Sequence, residues 1–227
     1  MPRGKQSRGR CEYCRYETTK GSMGRHLEKC PQRQERMVGA AQSKRTAEPL
    51  YYLRAQDAWN SDFWIDLEVR GSATLKDIDA YLRGIWLECC GHLSQFSIGG
   101  WGGREIAKQR RVDAVFRGDV ELTHIYDFGT SSETRIKAMG QRMGTPTSVR
   151  PMALMARNLM PEAVCIECDQ PAKYLCMECL IEEETQGTLC EKHAQDHPHE
   201  EYGEPMELVN SPRMGMCGYY GPAEPPY

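Results

Sequence analysis

Phe63-Trp64-Ile65-Asp66-Leu67-Glu68-Val69-Arg70-Gly71-Ser72-Ala73-Thr74-Leu75-Lys76-Asp77-Ile78 is the stretch on which the fold turns. Phe63, Ile65, Leu67 and Val69 alternate with Trp64, Asp66, Glu68 and Arg70, which is the period of a half-buried strand. Gly71 and Ser72 break it. Thr74 and Asp77 then have the spacing of a capping box. Behind them Leu75, Ile78, Leu82, Ile85 and Cys89 recur at intervals of 3, 4, 3 and 4. That is one apolar face of a helix of about four turns. A strand running straight into an amphipathic helix gives a layer of sheet against a layer of helix.

Outward from this stretch the same reading continues. Leu50-Tyr51-Tyr52-Leu53 reads as a strand before it, and His92 to Ile98 as one after it, ended by Gly99-Gly100. A second helix is expected from Arg104 through Phe116. Leu122, His124, Tyr126 and Phe128 share one face of a further strand. Gly129 turns the chain, and Thr134, Ile136 and Ala138 mark the returning strand. Strands and helices interleave without a regular βαβ repeat, so the expected class is α+β: a mixed sheet with packed helices. Residues 49–150 form this middle domain. Residues 1–48 hold a basic tail, a small cysteine module and a polar, partly helical linker from Pro31. Residues 151–227 form a second cysteine-rich module.

Charge divides along the same lines. Residues 1–48 carry 12 Lys and Arg against 5 Asp and Glu, a balance of +7. Residues 151–227 carry 4 against 14, a balance of −10. A basic head and an acidic tail point to different partners. No apolar run approaches the roughly 18 residues of a membrane span. Met1 to Arg10 is basic and polar without an apolar segment behind it, so the expected compartment is the cytoplasm. In that setting the cysteines of the two ends, three in residues 11–30 and six in residues 165–217 of the 11 in the chain, read as metal ligands rather than disulfides; only Cys89 and Cys90 lie between.

The head reads Cys11-x2-Cys14-x11-His26-x3-Cys30. Zinc takes four ligands in a tetrahedron, and a Cys-x-x-Cys turn supplies two from one knuckle. His26 and Cys30, four apart on a helix starting near Gly21 or Ser22, supply two more. Twenty or so residues cannot bury a useful core, so the metal must hold the module together. The pattern resembles a single ββα finger whose last His is replaced by Cys. Docked as such a finger, it would place Thr19, Ser22 and Arg25 at the reading positions, although its spacer is one residue short of the usual twelve. Its basic setting (Arg3, Lys5, Arg8, Arg10, Arg15, Lys20, Arg25, Lys29, Arg33, Arg36) fits DNA or RNA, with Arg15, Lys20, Arg25 and Lys29 as the contact candidates. A solvated basic face or a protein-docking finger is the competing reading.

The tail reads Cys165-x2-Cys168-x7-Cys176-x2-Cys179-x10-Cys190-x2-His193-x3-His197-x-His199. Eight candidate ligands are enough for two ions, making about three zinc ions per chain with the head. The order of pairs resembles the B-box and related cross-braced fingers. That arrangement groups Cys165, Cys168, Cys190 and His193 on one ion. Cys176, Cys179, His197 and His199 share the other, with Cys217 able to replace one His. Seven residues between adjacent Cys pairs is short for a simple ribbon, and the His ligands argue against an iron–sulfur cluster. Sites filled by four protein ligands are structural rather than catalytic. Glu182-Glu183-Glu184 and Glu200-Glu201 read as a solvated face, and the acidic module as a surface for a protein partner.

In the middle domain the order strand, strand, helix, His92-Leu93-Ser94-Gln95-Phe96, then Tyr126-Asp127-Phe128-Gly129, resembles the plasmid pRiA4b ORF-3-like family over roughly residues 49–145. Asn210-Ser211-Pro212-Arg213-Met214-Gly215 with Cys217-Gly218-Tyr219 is similar to a sub-group carrying a C-terminal zinc module. The resemblance implies an α+β fold and, for some members, an association with mobile elements. It implies no reaction. Many members follow the Tyr-Asp-Phe-Gly turn with an acidic residue and a Trp, where this chain has Thr130-Ser131-Ser132-Glu133. The expected protein is thus a non-enzymatic zinc adaptor or nucleic-acid-associated protein. The alternative is an enzyme with a site around His92, His124 and Asp127. Against it, His124 and Asp127 differ by an odd number along a strand and do not converge. Cys89 extends the apolar helix face as a core residue, and His124 reads as a core or groove histidine.

Overall fold

In the computed structural model the described residues are 6–199 and 201–227; Arg3, Lys5 and Glu200 lie outside them. The strands are β1 (Arg8–Cys11), β2 (Glu17–Thr19), β3 (Glu48–Asp57), β4 (Trp64–Arg70), β5 (Ser94–Ile98), β6 (Arg104–Ile106), β7 (Glu121–Tyr126), β8 (Ser132–Gly144), β9 (Met152–Asn158), β10 (Tyr174–Leu175), β11 (Thr188–Leu189) and β12 (Met206–Glu207). The helices are α1 (Lys20–Lys29), α2 (Pro31–Ala41), α3 (Leu75–Leu82), α4 (Val112–Val115), α5 (Met177–Ile181) and α6 (Glu191–Gln195). Nine strands form one sheet in the order β2-β1-β9-β4-β3-β8-β7-β5-β6, and β11-β10-β12 form a second, small sheet. Every named pairing is antiparallel. A large antiparallel sheet with a few helices is compatible with the α+β class, but the sheet is antiparallel rather than the mixed sheet expected, because among the described residues each named strand pairs with neighbours that run the other way.

The capping box forms: Thr74 Oγ1 accepts from the Asp77 amide, and Asp77 Oδ2 accepts from the Thr74 amide. The helix it starts is shorter than its apolar period. After Leu82 it loosens into a π-helical turn, Arg83–Leu87, and ends there. Leu75, Ile78, Tyr81, Leu82, Ile85 and Trp86 still reach the core under Leu53, Ile65, Leu67, Val69 and Ile136. Cys89 has left the helix and only packs against the rim of this core.

The β4 alternation is genuine, but neither face is open. Ile65, Leu67 and Val69 enter the main core. On the other face Trp64 is buried against Met23 and Leu27 of α1 and Met155 of β9. Asp66 takes a forked pair of bonds from Arg54 at 2.7 and 2.8 Å, and Glu68 accepts from Arg142 and Thr147. Buried carboxylates persist only when paired in this way. The head therefore covers the second face of the sheet, which strand periodicity could not register.

Two further expectations change. The predicted helix over 104–116 is instead β6, which pairs with β5, and the single turn α4, with a turn closed by the Arg110 amide on Ala107 O between them. Within the partly helical linker, Pro31–Ala41 form α2, with Pro31 at its first turn, where proline is tolerated. The domain boundary near 150 moves: β9, placed by the sequence reading in the acidic module, is an interior strand between β1 and β4. No helix among the described residues is long and apolar enough to cross a membrane.

Candidate metal centres

The head cluster is assembled by the β1–β2 hairpin and α1. After β1 the chain turns through Cys11 to Cys14, and Arg15 (φ 62) reverses it so that its amide bonds Cys11 O at 2.9 Å. Cys11 and Cys14 thus converge from one knuckle. His26 lies on α1, and Cys30 sits at the junction between α1 and α2 rather than on a continuous helix. Cys11 Sγ is 3.9 Å from Cys30 Sγ, and Cys14 Sγ is 3.2 Å from His26 Nε2. A tetrahedral zinc, with bonds near 2.3 Å to sulfur and 2.0–2.1 Å to nitrogen, holds sulfurs about 3.8 Å apart and S–N pairs about 3.5 Å apart. A disulfide would need about 2.0 Å, and all 11 cysteines are free.

The tail brings its eight ligands together in two sets. Cys165, Cys168, Cys190 and His193 form one, and Cys176, Cys179, His197 and His199 the other, each with its ligand atoms within 4.8 Å of one another. This is the cross-braced grouping. Cys176 and Cys190 are the N-cap residues of α5 and α6, so each short helix starts on a ligand and carries another, Cys179 or His193, three residues on. The edges again fit a tetrahedron: Cys168–Cys190 3.9 Å, Cys165–His193 3.3 Å, Cys179–His197 3.2 Å and Cys176–His199 3.7 Å. Glu183, read from sequence as part of a solvated face, has Oε1 3.4 Å from the outer nitrogen of His199. A carboxylate there fixes the imidazole for coordination through Nδ1.

The electrostatics of the thiols favour a cation. Burial pushes the Cys11 thiol up to about 12, and burial beside Cys176 and Glu183 pushes Cys179 up to about 12. Neither would ionise near neutrality without a positive ion to compensate the buried charge. Burial alone would also raise Cys165, but backbone amides and His193 draw it down to about 6. Burial lowers His26, keeping its imidazole in the neutral, ligating form.

The nucleic-acid candidates separate. Arg15 pairs with Glu12 at 2.8 Å, and Lys20 reaches back to Gln56 and Ser61 of the middle domain at 2.9 and 2.8 Å. Lys20 thus braces the head against the middle domain while remaining half-exposed. Arg25 and Lys29 are exposed on the outer face of α1, with no ion-pair partner among the described residues.

The residues of the enzyme alternative also part. His124 is fully buried and bonds Asp79 Oδ1 at 2.7 Å, with Phe96 against its ring. Ser94, Lys108 and Arg83 complete that network. Burial holds His124 below its ordinary value. For Asp79 burial alone would act upward, but the bonds from His124 and Ser94 hold it below the usual carboxylate range. His92 and Asp127 do approach, at 3.4 Å. A groove of about 790 Å³ beside α2, lined by Glu12, Tyr13, Arg36, Arg45 and Thr147, contains none of the three.

A fourth set was missed by the sequence reading. Cys89, Cys90 and His92 meet Cys217, with ligand atoms within 4.8 Å of one another. The expectation that Cys217 substitutes for a tail histidine does not hold, since Cys217 lies at this other set. Cys89 is likewise no core residue of the helix. The only local signal was Cys89-Cys90-Gly91-His92 itself; its partner is 125 residues or more away.

No protein-family model matches the sequence, and no curated protein does. Among solved structures the chain is similar to a crystal structure of a protein of unknown function from Methanosarcina mazei Go1. The likeness has 17% identity over 50% of this chain and 72% of that one, with a TM-score of 0.42.

Proposed function

We propose that this protein is a zinc-stabilised, non-enzymatic adaptor, whose head and tail clusters hold structural zinc and whose acidic tail module presents a surface to a protein partner. The observation that carries the reading is the complement of four ligand atoms, each within 4.8 Å of the others, in the head cluster and in both tail clusters. Thiolate-rich sites with four protein ligands leave no position for a reacting water. The burial of His124 against Asp79, away from His92 and Asp127, weighs against the enzyme. Elemental analysis of protein purified without chelator tests the zinc assignment. Iron in place of zinc, or no metal, would sink it.

A second reading, contact with DNA or RNA, is favoured by one observation: Arg25 and Lys29 are exposed on one face of α1, without an ion-pair partner among the described residues. Arg36 and Lys44 of the head are also exposed. Two to four phosphate contacts would give a log–log salt slope of about −2 to −4 on duplex DNA, at about −0.9 per contact. The Arg25→Ala/Lys29→Ala pair is expected to flatten that slope by about 2, whereas Lys20→Ala is not. No binding at low salt would leave the head as a protein-docking finger. The resemblance over residues 49–145 is the support for a link to mobile elements.

A further inference from the structure

We infer that Cys89, Cys90, His92 and Cys217 bind a fourth zinc ion, which clasps the C-terminal segment onto the middle domain. The inference rests on the zinc reading of the other sites only for the identity of the ion. Its geometry stands independently. Cys90 Sγ and Cys217 Sγ are 3.7 Å apart, and His92 Nε2 is 3.4 Å from Cys217 Sγ. These are the edges of a tetrahedron around zinc, about 3.8 and 3.5 Å, and are far from a disulfide bond of about 2.0 Å.

The backbone is shaped to bring these atoms together. Gly91 has φ 74, a turn that sets Cys90 and His92 on either side of one point. Cys217 itself adopts φ 51, a left-handed conformation uncommon for a residue with a side chain, between Gly215 (φ 80) and Gly218 (φ 67). A non-glycine residue held there marks a position whose side chain has work to do.

The segment that delivers Cys217 is anchored separately. Ser211 Oγ bonds Trp86 O at 2.7 Å. Arg213, with no exposed surface, donates to Asp127 Oδ2 at 2.7 Å and to Thr130 O and Ser132 Oγ at 2.9 Å. The same guanidinium lies 3.5 Å from Cys89 Sγ, so a buried cation offsets part of the charge of three thiolates. On its other side Gly215 gives room to Leu175, Leu180 and Met177 of the acidic module. At the base of that module Asn158 Nδ2 donates to Asn210 Oδ1 at 2.7 Å. The clasp therefore closes a segment held between the sheet and the acidic module, and metal at this point fixes how the module is presented.

Native mass spectrometry of the full chain, purified under reductant without chelator, tests this. One zinc per cluster gives four per chain. Cys217→Ser and, separately, Cys90→Ser are each expected to lower the count by one, and Cys217→Ser to speed amide exchange over residues 211–219 while β4 stays protected. Both thiols are exposed, so these substitutions spare the core, and the zinc retained elsewhere reports folding. A wild-type count of three, unchanged by Cys217→Ser, overturns the clasp alone. So does a Cys90–Cys217 disulfide, read as a mass lower by two hydrogens. A chain without zinc overturns both this inference and the reading of the other clusters.

Discussion

The head and the acidic module use similar ligands but are supported differently. The head is fused to the body: β1 pairs with β9 in the nine-stranded sheet, and Cys11 and Cys30 share a buried cluster with Met23, Leu27, Trp64, Met155 and Ala156. Gly9 lets this happen, since a Cβ there would collide with the Trp64 ring and the Arg157 carbonyl. In the acidic module the cysteines Cys165, Cys176, Cys179 and Cys190 cluster around Leu189, and beyond them only Leu175 and Met177 among its large apolar side chains between Cys165 and Met206 are buried. Its three strands are of two residues each. Apolar burial can carry part of the head, whereas on the zinc reading the tail would depend far more on its metal. A Cys-x-x-Cys knuckle therefore says where an ion binds, not how much the fold depends on it.

The largest effect should come from chelation at neutral pH. Structural zinc is worth about 10–16 kcal/mol in finger peptides. Amides of Thr188 and Leu189 should lose hydrogen-exchange protection while those of Leu67 and Val69 keep theirs. Equal loss in both regions would break the contrast. Next comes Trp64→Ala, which removes the side chain joining head to sheet and should cost about 3–5 kcal/mol. Chemical denaturation should show it, with zinc in the tail clusters unaffected. Glu183→Gln sharpens the contrast from the tail side. Losing the carboxylate charge beside His199 should weaken that zinc, by up to about 10–100-fold in a competition titration, with the head site unmoved.

The smallest effect concerns the middle domain. Burial holds His124 below its ordinary value, so the unfolded chain takes up the proton first, and stability is lost as pH falls below about 6.5. Asp79, held low by His124 and Ser94, adds a loss only at much lower pH, below its unfolded value near 3.9. The stability margin of wild type over His124→Gln should narrow between pH 7.5 and 5.5. A widening margin would mean that the Asp79 partnership outweighs burial. His124 Nδ1 has no partner among the described residues, so a second proton there would have nothing to bond.

What the sequence determined by itself is what depends on near neighbours. The spacing of Cys11 with Cys14, Cys165 with Cys168 and Cys176 with Cys179 is a knuckle whatever surrounds it. Thr74 and Asp77 close a capping box within one turn. The 2-residue period of β4 and the 3–4 spacing from Leu75 to Ile85 fix which side chains face the main core. Tertiary structure alone decided three things. It put β9 inside the sheet, because a short strand gains its stability from the partners it pairs with and carries little signal of its own. It buried the polar face of β4, since Asp66 and Glu68 become tolerable only once Arg54 and Arg142 arrive from other strands. It also carried Cys217 to Cys90 across 127 residues, because ligands on separate segments meet only where the chain is docked, here by Ser211 on Trp86 O and Arg213 on Asp127.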